Sequence, residues 1–395
     1  MSQRPLPIIV RPATHRRVKY FRRVSQLPQL SPQDHEILKK VEQKYAFRAN
    51  DYYLGLIDWN DPDDPIRRLI IPHPGELDQW GKLDASNEAA VTVAHGVQHK
   101  YAQTVLLLCN EVCGAYCRYC FRKRLFIRGN DEVTNDVSEG IRYIANNPQV
   151  NNVLLTGGDP LLMATRRLRR IIEQLRAIPH VRIIRIGSKI PAFDPFRVSQ
   201  DPELLAMLRQ FSTPHKRIYM MVHFDHPREL TDEAVEALDA LIRNGVICCN
   251  QCPLIKGIND DPRVLAELYR ELSFLGCPPY YLFQGRPTAG NKPYAIPIVR
   301  GWEIFREAMR HGSGLARRAR YVMSHERGKV EITGVDRRHI YLRFHRAKDP
   351  HCRDAVLAYK RNDDAYWLDD LEPIRGSGAR KFPPSPSFGV MDGPE

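Results

Sequence analysis

From Thr104 to Phe283 the chain alternates between short apolar, often β-branched runs and longer amphipathic segments. The runs are TVLLL (104–108), VNNVLLTGG (150–158), VRIIRIGS (181–188), RIYMMVHF (217–224), VICCNQCPL (246–254) and YYLF (280–283). Between them lie DVSEGIRYIANN, TRRLRRIIEQLRAI, DPELLAMLRQF, TDEAVEALDALIRNG and DPRVLAELYRELSFLG, and another helix is expected around 301–311. Apolar strands separated by helices predict a parallel sheet covered by helices, since parallel neighbours need a crossover between them. Six such units predict an α/β fold, a partial (β/α)6 TIM-type barrel short of closure. A doubly wound open sheet is the structural alternative. In both, polar and glycine residues at strand C-terminal ends line the site.

Four regions follow from the same pass. Residues 1–100 are an N-terminal helical and extended region, in which SPQDHEILKKVEQKYAF predicts a helix capped by Ser31 before Pro32. DWNDPDDPIRRLIIPHPGE predicts an extended connection. Residues 101–312 carry the barrel. Residues 313–373 are a small β-containing C-terminal region, with YVMSHERGKVEITG and HIYLRFHRA as two β-prone runs. The tail 374–395, with GSG and FPPSPSFG, is expected to be disordered.

Hydrophobic residues at 43% and charged ones at 27% of 395 support a packed core. No apolar run reaches the ~20 residues that span a bilayer. The basic start contains only LPIIV as an apolar stretch, too short for a secretory core. A cytoplasmic location is the expectation, with an organelle transit peptide as the weaker reading. The net charge of +13 is spread along the chain without an RNA- or DNA-binding signature. It suits anionic substrates and cofactors, and neither nucleic acid nor membrane is an expected partner. Four of the nine cysteines crowd into CNEVCGAYCRYCFRKR (109–124), which argues for a metal or redox site and against a disulfide framework.

The spacing from Cys113 is C-x3-C-x2-C. One reading makes Cys109, Cys113, Cys117 and Cys120 a zinc site, although zinc usually takes two separated ligand pairs. The other gives Cys113, Cys117 and Cys120 to a 4Fe–4S cluster and leaves one iron open. That iron can chelate the amino and carboxylate groups of S-adenosylmethionine (SAM), whose reductive cleavage yields a 5′-deoxyadenosyl radical. Cys109, at the end of the first strand, then reads as a buried free cysteine. Tyr119 just before the last cysteine, and a position after the first strand of a βα array, strengthen the cluster reading.

Residues 113–120 resemble the radical SAM cluster motif. The wider chain is similar to the lysine 2,3-aminomutase family, through CGAYCRYCFRKR, LLTGGDPLL, IRIGSKIPAFDPFRV, VHFDHPREL, NQCPLIKGIND and PYYLF. The likeness runs from about 61 through the sixth strand and more thinly to about 350. It implies a partial barrel, a 4Fe–4S cluster, SAM, usually pyridoxal 5′-phosphate (PLP) on a lysine, and an external one-electron reductant of flavodoxin or ferredoxin type. It implies an isomerase that moves an amino group from C2 to C3 of an amino acid. By the same resemblance Cys113, Cys117 and Cys120 hold the cluster and Gly157, Gly158 and Asp159 receive SAM, with Asp159 accepting from its ammonium. His223 and Gln251 lie near the cofactors. Arg122 holds the substrate carboxylate, while Arg118, Lys123 and Arg124 read as solvated or backbone-facing.

The PLP lysine of the resemblance corresponds to Lys329, after Gly328. Two phosphate-binding arginines correspond to Lys100 and Thr104. Two aspartates that recognise the lysine ammonium fall near Arg286 and Val322. Guanidinium in place of carboxylate repels a cationic substrate end and favours an acidic or hydrogen-bond-accepting one. The expectation is therefore a radical SAM, PLP-dependent 2,3-aminomutase for an amino acid other than lysine. The alternatives are a PLP-independent radical SAM enzyme for decarboxylation, elimination or epimerisation of a carboxylate, and a zinc-stabilised nucleic-acid-binding protein. A protein substrate and a homo-oligomer stay open.

Overall fold

Strand order separates the two architectures. The computed structural model describes residues 16–349, 352 and 354–379. In the N-terminal region β1 (Tyr20–Phe21) pairs antiparallel with β2 (Ala49–Asn50). A twelve-stranded sheet then runs in strict chain order. It opens with β3 (Thr92–Ala94) and β4 (Val97–Tyr101). It continues through β5 (Thr104–Asn110), β6 (Asn152–Gly157), β7 (Ile183–Ser188) and β8 (Arg217–Val222). Next come β9 (Ile247–Pro253), β10 (Pro279–Phe283) and β11 (Arg320–His325). It ends with β12 (Gly328–Val335), β13 (His339–Ala347) and β14 (Val356–Lys360). Every neighbour from β5 to β11 is parallel, and the strands at both ends add antiparallel. A doubly wound sheet reverses its order at a switch point; this one never does, so it is a singly wound partial barrel with open edges.

The alternation of each strand divides its side chains between two spaces. In β6, Val153 and Leu155 join the outer core under helix Thr165–Ala177, while Leu154 and Thr156 face a central cavity. In β7, Ile184 and Ile186 go outward and Arg185 and Gly187 inward. In β5, Val105, Leu107 and Cys109 go outward and Thr104 and Leu106 inward. The helices start and stop where their sequences direct. Ser31 accepts from the Asp34 amide at the head of Pro32–Lys44, and Thr231 accepts from the Ala234 amide at the head of Asp232–Arg243. Gly245, at φ +75°, ends the latter.

Three expectations change. The barrel has a seventh parallel strand, because YVMSHERGKVEITG is itself a hairpin whose first half, β11, adds to β10. Gly328 at its turn has φ +158°, and a Cβ there would meet the Arg346 carbonyl oxygen at 2.1 Å, so β13 can pass only over glycine. Within the stretch read as extended, Asp64 caps a short helix, Pro65–Ile70. Of the tail expected to be disordered, residues up to 379 are packed, with Ser377 Oγ donating to the Ala358 carbonyl; residues 380–395, like the basic start 1–15, lie outside the described residues. Among the described residues no helix is long and apolar enough to cross a membrane.

Candidate active site

A cavity of about 380 Å³ opens at the C-terminal ends of the parallel strands. It brings together the residues expected to hold cofactors and substrate: Cys113, Cys117, Cys120, Gly157, Gly158, Asp159, Arg122, His223, Gln251, Lys100, Arg286 and Lys329. Cys109 is excluded. Its outward parity on β5 buries it completely in the helix-side core, where its thiol donates weakly to the Thr156 carbonyl at 3.7 Å.

The three cavity cysteines sit on the loop after β5, packed beneath a second core of Tyr53, Ile66, Leu69 and Ile70 from the N-terminal region. Burial raises all three thiols above the ordinary range, with Asp159 adding to the effect at Cys113. Among the described residues no three His, Cys, Asp or Glu side chains converge on one ion.

The basic run beside them is not solvated; Arg118 and Lys123 do face backbone carbonyls, as one half of the expectation had it, but all three of Arg118, Lys123 and Arg124 are held by carboxylates. All three are less than 10% exposed because buried carboxylates from the N-terminal region meet them. Arg118 grips Glu76 through Nε (3.0 Å) and Nη2 (2.7 Å) and donates to the Ala46 carbonyl. Lys123 reaches the same Glu76 at 3.4 Å, and Arg124 joins Glu88 (2.6 Å) and Glu132 (2.8 Å). Tyr119, between two of the cysteines, donates to Asp225, a carboxylate shared with His223 (3.0 Å) and Lys189 (2.7 Å). The cluster loop is therefore clamped from both sides.

The glycine–aspartate segment has a structural reason of its own. A Cβ on Gly157 would meet the Asn110 carbonyl oxygen at 2.6 Å, and one on Gly158 the Val112 carbonyl oxygen at 2.5 Å. The glycines thus let β6 close on the chain that enters the cysteine loop. Asp159 accepts from Leu161 N (3.0 Å), Ser188 Oγ (3.0 Å), Lys189 N (2.8 Å) and Ile190 N (3.2 Å). Burial pushes its carboxyl up to about 6 despite those donors. Four protein donors occupy most of its acceptor capacity, so it pins β6 to β7 where the resemblance assigned it a ligand ammonium.

Arg122 is corrected in a similar way. Its Nε and Nη2 hold Glu88, Nη1 donates to Thr156 Oγ1 (2.9 Å), and Nη2 also reaches Gln98 (3.3 Å). One Nη1–H is left for a ligand, so a substrate carboxylate meets it at one point and not through the full fork. Burial alone would raise Glu88, but Arg122, Arg124 and Arg286 hold it far below the ordinary carboxylate range.

At the other end of the cavity the cations make no direct ion pair among the described residues. Lys100, Arg185, Arg286, Arg346 and Lys329 all line it, and none has an ion-pair partner among the described residues. Arg286 donates to Ser86 Oγ and stacks on Phe121, 3.9 Å from its centroid. Burial draws it down to about 10 and Lys100 to about 7. Lys329 lies 4.6 Å from the ring centroids of both Tyr281 and Phe283. Burial, then Arg286, Arg185, Lys100 and Arg346, pull its ammonium well below the usual lysine range. The position aligned with Val322 lies fully buried beneath the cavity, and Ser324, on the same face of β11, takes the place at its wall.

Sequence reasoning missed Glu88, Arg185 and Arg346. Arg185 had a signal, a charge at lumen parity inside an apolar strand. Glu88 and Arg346 had none, since both depend on how the terminal regions fold over the barrel. The donor chemistry fits the implied groups: three buried thiols for a cluster, and a lysine amine among cations that make no direct ion pair for an aldehyde bearing a phosphate.

Residues 107–269 match the Radical SAM superfamily. A protein named "Putative L-lysine 2,3-aminomutase" from Aquifex aeolicus (strain VF5) is 52% identical over 360 residues, 91% of this chain and 96% of that protein. The L-lysine 2,3-aminomutase of Clostridium subterminale is 36% identical over 288 residues, 72% of this chain and 68% of that enzyme. The glutamate 2,3-aminomutase of Clostridioides difficile (strain 630) is 33% identical over 295 residues, 74% of this chain and 68% of that enzyme. Radical SAM membership brings a 4Fe–4S cluster, SAM and a one-electron reductant, and the lysine 2,3-aminomutases are PLP-dependent isomerases. With half its residues shared along nearly the whole of one such relative, the chain belongs to the lysine 2,3-aminomutase family of radical SAM enzymes.

Proposed function

We propose that the chain is a SAM- and PLP-dependent 2,3-aminomutase for an α-amino acid whose side chain ends in an acidic or hydrogen-bond-accepting group. The observation that carries this reading is the set of unpaired cations around Lys329 in the same cavity as the three thiols. When bound, the cluster with SAM supplies a hydrogen-abstracting radical, and PLP supplies the conjugation through which nitrogen migrates from C2 to C3.

The chain's residues do the rest. Cys113, Cys117 and Cys120 hold the cluster, and the Arg118–Glu76 pair fixes their loop. Lys329 offers the anchoring amine, its ammonium form disfavoured by burial and the cations around it. Arg122 orients the α-carboxylate by one donor, with Glu88 setting the guanidinium plane. Arg286 faces the side-chain end, where Ser324 and not a carboxylate lies across the cavity. A cation there would meet the Arg286 guanidinium, while Glu88 is already engaged by Arg122 and Arg124; an anion would gain a charge-assisted partner. The N-terminal core over the loop excludes water.

The test is anaerobic reconstitution with iron, sulfide, SAM, PLP and a one-electron reductant. Mass spectrometry then follows a panel that includes lysine, glutamate and aspartate. Conversion of an acidic amino acid to its β-isomer, with PLP trapped on Lys329 by borohydride, is expected. Lysine turned over faster than the acidic substrates overturns the substrate class, and absence of trapped PLP overturns the PLP dependence.

A further inference from the structure

Lys329 on β12 stands directly opposite Arg346 on β13 in the antiparallel register. Like charges placed opposite one another destabilise a sheet, so such a pair calls for an anion between or beside them. Arg346 does not turn away from the cavity: it lines it, and its guanidinium lies 4.1 Å from the centroid of Tyr101, with Nη2 3.4 Å from Thr104 Oγ1. Lys100 borders the same ring, its ammonium donating to the His325 carbonyl. The Tyr101 hydroxyl is buried and makes no hydrogen bond among the described residues. Two cations without carboxylate partners, an orphaned phenol and a threonine hydroxyl thus share one corner, all able to donate to a single multivalent acceptor.

We propose that this corner, with Arg346 as its principal charge and Lys100, Tyr101 and Thr104 as further donors, is the phosphate-binding subsite of the cavity. It takes the phosphate ester of the aldehyde cofactor that Lys329 anchors, and so it rests on the function proposed above. Its singular element is that the charge comes from the C-terminal strands. Thr104 carries none, and Arg346 reaches across from β13 to the hydroxyl at that position. The planar guanidinium suits a phosphate by its paired donors, and Lys100 adds a point charge. The dianion in turn offsets the repulsion between Arg346 and the base of Lys329.

The experiment compares PLP with pyridoxal, which lacks the phosphate, in absorbance titrations of cluster-loaded protein without SAM. Wild type, Arg346→Met, Arg346→Lys and the double variant Arg346→Met/Thr104→Arg are titrated, with circular dichroism and iron content confirming the fold. Arg346→Met is expected to weaken PLP binding by about tenfold to a hundredfold and leave pyridoxal binding unchanged. Arg346→Lys should fall between, and Thr104→Arg should restore PLP affinity in the double variant. Equal PLP affinity in wild type and Arg346→Met, or equal loss for PLP and pyridoxal, overturns the subsite. A wild type that takes up neither ligand overturns the PLP-dependent reading, and this subsite with it.

Discussion

Glu88 and Arg122, 34 residues apart, form a buried bidentate ion pair in which Nη2 is 2.7 Å from Oε1 and Nε is 3.1 Å from each oxygen. Arg124 shares the same carboxylate at 2.6 Å. Glu88→Gln keeps the shape and removes the charge, which leaves Arg122 buried beside Arg286 without its carboxylate, while Arg124 keeps Glu132. Removal of one partner from a buried pair costs about 3–5 kcal/mol. Denaturant unfolding under anaerobic conditions should show a loss of that order, and a variant within about 1 kcal/mol of wild type contradicts it.

Lys329 makes stability depend on pH. Its pKa is depressed in the folded chain and returns to about 10.4 when unfolded. Between those values the unfolded chain holds a proton that the folded one lacks, so stability rises with pH through that window and falls as pH drops. Lys329→Met abolishes the dependence. Without PLP, the variant should melt above wild type at pH 7, and the gap should shrink as pH approaches about 10. A gap of the same size at both pH values would mean that packing, not charge, sets it.

Iron content distinguishes the cysteines. Cys109→Ala should retain about four irons per chain after reconstitution, while Cys113→Ala should lose most of them. The Cys109 variant should lose only about 1 kcal/mol of stability, as a small truncation in a packed core does. Equal iron loss in the two variants would place Cys109 in the cluster after all.

Substrate choice is predicted to follow Arg286. Arg286→Gln should lower kcat/KM for an acidic amino acid by about tenfold to a hundredfold, the worth of one charge-assisted contact. Borohydride trapping of PLP should persist in the variant. Unchanged kcat/KM would remove Arg286 from the substrate end of the cavity.

How much of this was readable in the residues depended on range. The barrel was legible because strand and helix periods repeat locally, and the outward turn of Cys109 follows from its parity with Val105 and Leu107. The cysteine loop was legible from its spacing. The seventh strand was not, since β11 and β12 read as one β-prone run until the Gly328 turn and its neighbour β13 are known. The burial of Arg118, Lys123 and Arg124 was equally hidden. Charge spacing marks a solvated run unless carboxylates as distant as Glu76 and Glu88 fold onto it. Registers and long-range ion pairs are tertiary facts that no local pattern encodes.

Because β12 closes the cavity, its two chemical ends are born at different times. Cys120 leaves the ribosome 209 residues before Lys329 (329 − 120). At typical synthesis rates that is an interval of roughly 10–40 s. During it the thiols exist while the anchoring amine, Arg346 and the strands beneath them do not. The direction of translation thus makes the thiol end of the cavity before the end that holds the anchoring amine.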